Sequence, residues 1–280
     1  MSEYDYSRVS DDVKQLLPPG FQGNVYRLSY TWSIIIPVTY EPTCILEIGS
    51  YQGANVCSLM KTYAQHPTSE VHCIDPWFDY QEYAEYCQEQ PTNYSLFLQN
   101  VSKLAPKDVQ KLYIHRGLSE DIIPRFEDKK FDIIFIDGNH THKYTLEDAV
   151  LSFKKLKPSG WMIFDDIQCK EVKEAADCFL TMYMTYFDVK ILSNDQLFLQ
   201  RYDASKPTDK FLASSQMSQS EPVALATSEE KQASSENSST VPSSPPNVVV
   251  CSAQRGWCKN TCADGKLICN ECTKMMDSYP

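Results

Sequence analysis

The chain has 280 residues, a formal net charge of −11 and 42% hydrophobic residues. That length allows one substantial domain with additional segments, and the acidic balance argues against a broad nucleic-acid footprint, which needs clustered Lys and Arg. The first fifteen residues are polar, without a signal-peptide core, and the longest early apolar run, Trp32 to Val38, is far too short to span a bilayer, so the expectation is a soluble, cytoplasmic protein with no membrane partner.

Strand and helix periods alternate up to about Tyr202. Cys44-Ile-Leu-Glu-Ile48 reads as a short buried strand, and Asn55 to Gln65 places Val56, Leu59, Met60 and Tyr63 at helical spacing. Val71 to Ile74 is a second strand ending at Asp75. Phe78 to Asn100 is polar and aromatic and reads either as a segment over the cleft that shapes the acceptor pocket or as a surface helix pair using its tyrosines for amphipathic packing. Leu112 to His115 is a third strand, followed by Arg116-Gly117 and a short helix. Phe131 to Ile136 is a fourth. The next helix is expected to be capped by Thr145, with Asp148 three residues on, and to be ended by Pro158 and Gly160. Trp161 to Phe164 is a fifth strand and Glu171 to Tyr186 a helix. Phe187–Leu192 and Gln196–Arg201 then form a hairpin. Alternating β and α units imply an α/β, Rossmann-like, mostly parallel sheet with helices on both faces and an antiparallel last strand.

Beyond this first domain (residues 1–203, core about 42–201) composition changes. Residues 204–250 are rich in Ser, Pro, Gln and Glu, which reads as a disordered linker. Residues 251–280 form a Cys-rich tail. Of the eleven cysteines, Cys44, Cys57, Cys73, Cys87, Cys169 and Cys178 lie in apolar patterns, where a thiol behaves as a small hydrophobe. The tail carries the other five. Cys258, Cys262, Cys269 and Cys272 have C-x3-C and C-x2-C halves that suit a tetrahedral structural zinc site, with Cys251 spare. A disulfide cluster is the competing reading, disfavoured by the missing leader. A module this small would serve for docking to a protein partner rather than for catalysis.

Chemistry concentrates at the strand ends. Glu47-Ile-Gly49-Ser50-Tyr51-Gln52-Gly53 follows the first strand and opens the first helix, where glycines permit a sharp turn and close approach of a ligand. The G-x-G-x-x-G dinucleotide fingerprint is not met, which disfavours a nicotinamide-dependent oxidoreductase. Asp75 could accept both ribose hydroxyls of a nucleotide, or could simply cap a turn. Asp137-Gly138-Asn139-His140 ends the fourth strand and Asp165-Asp166 the fifth, so three carboxylates and an imidazole meet at one sheet edge. Carboxylates sharing a cleft repel unless protonated or bound to a cation, and oxygen ligands suit Mg²⁺. The plainer reading is that an Asp caps the next helix and His140 bonds to backbone. His142 reads as a surface histidine.

Glu47-x-Gly49-x-x-x-Gly53, Asp75, Arg116-Gly117-x-Ser119 and Asp137-Gly-Asn-His140, in this order and with a terminal hairpin, resemble a class I S-adenosylmethionine-dependent methyltransferase over roughly Pro42 to Arg201. The resemblance implies a cofactor site of Glu47, Gly49, Ser50, Tyr51, Gly53, Asp75, Ser119 and Asp137, with Asp75 on the ribose and Ser119 near the adenine. Tyr51 stands where many members carry a middle glycine. The acidic cluster resembles the metal-dependent branch that O-methylates small molecules and macrolide sugars. This implies Asp137, Asp165 and Asp166 as Mg²⁺ ligands, His140 as general base and a small-molecule hydroxyl as acceptor. The rival expectation is an inactive scaffold of the same fold, acting through its tail.

Overall fold

A computed structural model describes residues 11–26, 28–78, 89–192 and 195–203, together with two short strands at 249–250 and 261–262. The expected linker and the ligand set Cys258, Cys262, Cys269 and Cys272 lie outside the described residues, apart from the backbone of a two-residue strand pair. In that pair Val249–Val250 runs antiparallel to Thr261–Cys262. It belongs to a unit of its own, residues 203–272.

The main unit is built on a seven-stranded sheet of order β3-β2-β1-β4-β5-β7-β6. Its strands are β1 (Cys44–Ile48), β2 (Glu70–Asp75), β3 (Leu112–Arg116), β4 (Phe131–Ile136), β5 (Leu156–Phe164), β6 (Phe187–Leu192) and β7 (Gln196–Arg201). β1 to β5 pair in parallel, and β7 runs antiparallel to both β5 and β6. Among the described residues seven α-helices accompany them: α1 (Asp11–Lys14), α2 (Ala54–Lys61), α3 (Gln90–Val101), α4 (Pro106–Val109), α5 (Ser119–Ile122), α6 (His142–Phe153) and α7 (Lys170–Tyr183). The expected α/β sheet with an antiparallel last strand is therefore what the chain forms.

Near-continuous apolar runs in β1, β2 and β4 are what a parallel sheet covered on both faces requires. Alternate residues serve opposite faces. Ile45, Ile133, Phe135, Ile163 and Phe198 share a core with Val56, Leu59 and Met60 of α2 and with Leu17, Phe21, Val25, Leu28, Trp32 and Ile36 of the N-terminal segment. The fully buried Trp32 ring stands 5.0 Å from Phe135 and 6.5 Å from Phe198. On the other face, Phe179 of α7 packs 5.9 Å from Phe164. The described N-terminal segment, from Val13 to Ile36, thus contributes side chains to the core.

Two local expectations need correction. The helix after β4 starts at His142 with Thr141 as N-cap. Thr145 lies inside it, its hydroxyl donating to the Asn139 carbonyl at 2.9 Å, so there is no capping box with Asp148. β5 begins at Leu156 rather than Trp161. Lys157 to Gly160 continue the strand as an irregular segment, Ser159 taking a φ of 63°, and the pairing with β4 shifts register between Phe131 and Ile133.

Strand order reverses between β1 and β4. At such a switch point the loops leaving the carboxyl ends diverge and open a crevice for ligands. The loops after β1, β2, β4 and β5 therefore converge on one edge.

Candidate active site

The loop after β1 is fixed by close approach. Gly49 has a φ of 86°, and a Cβ there would fall 1.9 Å from the Asp137 carbonyl oxygen, so only glycine lets the loop after β1 touch the loop after β4. Gly53, at φ 83°, abuts the Phe97 ring of α3. Glu47, 1% exposed, holds the loop from beneath: it accepts from the Ser50 hydroxyl at 2.8 Å and from Asn55 Nδ2 at 3.0 Å. Burial pushes its pKa up to about 7, against the pull of those two hydrogen bonds.

Asp75 ends β2 and is buried. Its Oδ2 accepts from the backbone N–H of Ser50 and Tyr51, at 3.1 and 2.9 Å, and its Oδ1 from that of Trp77 at 2.8 Å. Burial pushes its pKa up to about 6 although three N–H groups oppose that. The carboxylate is thus the clamp that shapes the glycine loop. Trp77 completes the clamp, with Nε1 donating to the Tyr51 carbonyl at 2.8 Å and the ring stacked among Tyr94 and Phe97.

The β4 and β5 ends meet as expected, with a division among the four groups. His140 Nε2 lies 3.2 Å from Asp166 Oδ2 and 3.6 Å from Asp137 Oδ1. Asp137, His140 and Asp166 each offer a ligating atom within 4.8 Å of the others. Asp165 stands outside that trio, buried, its N–H donating to the Ile136 carbonyl at 3.0 Å. Burial first, and then the Asp165 charge, drive the Asp137 carboxyl well above the usual range, against the His140 hydrogen bond. Burial lowers the His140 pKa, but the imidazole's hydrogen bonds to Asp137 and Asp166, with the charges of those carboxylates, outweigh it and hold the imidazole up at about 10. Asp166 adopts a φ of 49°. With Tyr51 at 45° and Trp77 at 44°, three strained non-glycine residues lie on three loops of this edge.

Ser119 sits at the start of α5, at the neighbouring β3 end, and hydrogen-bonds the buried Asp148 of α6. His142 is half-buried, and its N–H donates to Glu171 at 3.0 Å. Reasoning from the sequence missed Trp77 as a clamp and a buried amide network behind the loop. Asn100 Nδ2 donates to the carbonyls of Gln22 and Gln52, its Oδ1 accepts from the Gln22 N–H, and Gln52 Nε2 donates to Asn93 Oδ1. Partners 41 to 78 residues apart leave no local signal.

A family model described as a methyltransferase domain matches residues 46–167. No curated protein matches the chain significantly. Among solved structures, a putative O-methyltransferase from Klebsiella pneumoniae is similar at 13% identity and a TM-score of 0.48, over 70% of this chain and 91% of that one. An O-methyltransferase from Bacillus cereus, in complex with SAH, is similar at 14% identity and 0.47, over 71% and 94%. The O-methyltransferase TomG from Streptomyces achromogenes, in complex with SAM, is similar at 15% and 0.46, over 70% and 92%.

Proposed function

We propose that this chain is a class I S-adenosylmethionine-dependent methyltransferase, a reading supported by the methyltransferase-domain match over residues 46–167, and that it methylates a hydroxyl oxygen of a small molecule or sugar with the help of a bound Mg²⁺. The observation that carries the proposal is the contact between the Gly49 loop and Asp137, beside the Asp137–His140–Asp166 trio. It sets a cofactor loop against a group of acid, base and cation-binding side chains.

In this reading Glu47, Gly49, Ser50, Tyr51 and Gly53 form the bed of the methionine half of the cofactor. Asp75 faces the ribose while keeping the loop in shape, and Ser119 lies toward the adenine. The carboxylate oxygens of Asp137 and Asp166, within 4.8 Å of each other, fit a hard divalent cation, which takes oxygen ligands. Asp137 and Asp166 would hold it, with Asp165 reaching it from behind. A bound Mg²⁺ would supply charge stabilisation for an ionising hydroxyl. In the transfer itself the oxygen–carbon bond forms as the carbon–sulfur bond breaks, and the hydroxyl proton passes to His140 Nε2. An imidazolium clamped by two carboxylates cannot accept that proton, so His140 serves as base only when Asp137 and Asp166 are otherwise engaged. The base and the cation site are therefore one proposal. The chain's remaining contribution is orientation of acceptor and cofactor.

The test is a methyl-transfer screen over sugar, catechol-like and other hydroxyl acceptors, with EDTA and with added Mg²⁺. Transfer that falls at least tenfold in EDTA and returns with Mg²⁺ is expected. Full transfer in EDTA would remove the cation and leave the methyltransferase. Absence of heat on titration with S-adenosylmethionine would favour an inactive scaffold instead.

A further inference from the structure

A second cluster of metal-ligating groups lies at the opposite end of the strands, about 15 Å from the catalytic edge at the usual rise per residue. Cys44 is the first residue of β1, and its register partner in β2 is Glu70. His72, two residues on, projects from the same face as Glu70. Cys44 Sγ is 3.7 Å from Glu70 Oε2, and His72 Nε2 is 2.9 Å from the same oxygen. The sulfur, oxygen and nitrogen all lie within 4.8 Å of one another. Around a tetrahedral zinc ion such donors would stand about 3.3–3.5 Å apart, given its bond lengths of about 2.0–2.3 Å.

The surroundings add the parts such a site needs. His72 is 4% exposed and its ring is locked, stacked on Tyr113 at 4.5 Å and packed edge-on against Phe126 and Phe131. Its other nitrogen, Nδ1, lies 3.0 Å from His115 Nε2. In the tautomer whose Nδ1–H donates to His115 Nε2, the Nε2 lone pair is left for a metal that replaces the contact with Glu70, the role outer partners play around metal-bound histidines. Glu70 is the exposed member, so the cluster has an entry path and a position open to water. Lys130 Nζ lies 3.1 Å from the same Glu70 oxygen. This ammonium is the cation the cluster now holds. Its alternative seats are the Phe126 and Phe131 rings, about 6 Å away.

We propose that Cys44, Glu70 and His72 form a zinc site, with His115 as its positioning residue and Lys130 as the competing cation. Binding exchanges the Cys44 thiol proton, released to solvent, for the metal. The site is independent of the methyl-transfer chemistry.

The experiment uses the full chain with its five C-terminal cysteines replaced by serine, titrated with Co²⁺ and then displaced with Zn²⁺. One equivalent of Co²⁺ with a thiolate charge-transfer band and tetrahedral d–d bands is expected, distinct from any Co²⁺ taken up by the Asp137–Asp166 site, which has no sulfur ligand. Both should vanish in Cys44→Ser and Glu70→Gln and persist in Cys169→Ser and Cys178→Ser. His115→Ala should weaken binding by about 10–100-fold, and Lys130→Met should tighten it several-fold. Thermal melting of each variant separates lost binding from lost folding, and Lys130→Met gives a gain that misfolding cannot mimic. No equivalent with a thiolate band, a spectrum unchanged by Cys44→Ser, or unchanged affinity in Lys130→Met would each overturn the site.

Discussion

Buried carboxylates govern this site one residue at a time. Glu47 has a folded pKa of about 7 against an ordinary 4.5, chiefly because burial penalises its charge. The folded state therefore binds the proton more tightly than the unfolded chain does. The resulting stability is complete below pH 4.5 and is lost as pH rises through 7, by about 3 kcal/mol for a shift of this size. Glu47→Gln removes that titration. Denaturant unfolding from pH 4.5 to 8 should show the wild type losing stability relative to the variant up to about pH 7 and then running parallel to it. A constant difference across that range would mean that Glu47 stays ionised. His140 is tested by separating turnover from cofactor affinity. His140→Ala should lower kcat by about 10²–10⁴ while calorimetry finds the S-adenosylmethionine Kd within about twofold of wild type, since no Glu47 or Asp75 contact with the loop involves it. Equal turnover would end its role as base.

Asn100 acts at the level of elements, because one side chain of α3 fastens both the N-terminal segment and the glycine loop. It is 0% exposed and makes three hydrogen bonds to backbone groups of Gln22 and Gln52. Asn100→Ala would orphan those groups, at about 1–3 kcal/mol each for a buried partner left unpaired. A loss of at least about 3 kcal/mol is expected in urea unfolding, with weaker cofactor binding because the loop is no longer tied to α3. An unchanged Kd with reduced stability would separate the network from the site. The strands that carry the site were legible in the sequence because each is a short apolar run punctuated by Gly, Pro or Asp: β1 and β4 fall where Cys44 to Ile48 and Phe131 to Ile136 place them. The spacing of Asp137, His140 and Asp166 was legible for the same reason, since each terminates such a run. The start of β5 was not. Pro158, Ser159 and Gly160 are turn residues by composition, and they stay within the strand only because Leu156 before them and Trp161 after them pair with β4. Asp75 was legible as a strand-end carboxylate, but not as a group engaged by three backbone N–H donors. The amides that fasten the loop were invisible, because their partners are brought together only by the fold.

At the scale of the whole molecule, the sheet closes before the Ser- and Pro-rich stretch begins. Strands β1 to β7 run from Cys44 to Arg201, and the core that buries Trp32, Phe135 and Phe198 draws on the N-terminal segment, α2 and the sheet. Every group assigned to cofactor, base and cation also lies between Glu47 and Asp166. A fragment of residues 1–203 should therefore fold cooperatively and bind S-adenosylmethionine within about twofold of the full chain, apart from any role of the Cys-rich tail in docking a protein partner. It should not survive the reciprocal cut. Removing residues 1–40 would strip Leu17, Phe21, Val25, Leu28, Trp32 and Ile36 from the core, each worth about 1.5–3 kcal/mol when buried, a combined loss as large as the whole stability of about 5–15 kcal/mol a domain of this kind commands. Side-by-side thermal melts and calorimetric titrations of the two fragments decide the matter. A 1–203 fragment that melts normally but fails to bind cofactor would place part of the site in the residues beyond the sheet. A stable 41–280 fragment would mean that the N-terminal segment decorates the core rather than completing it.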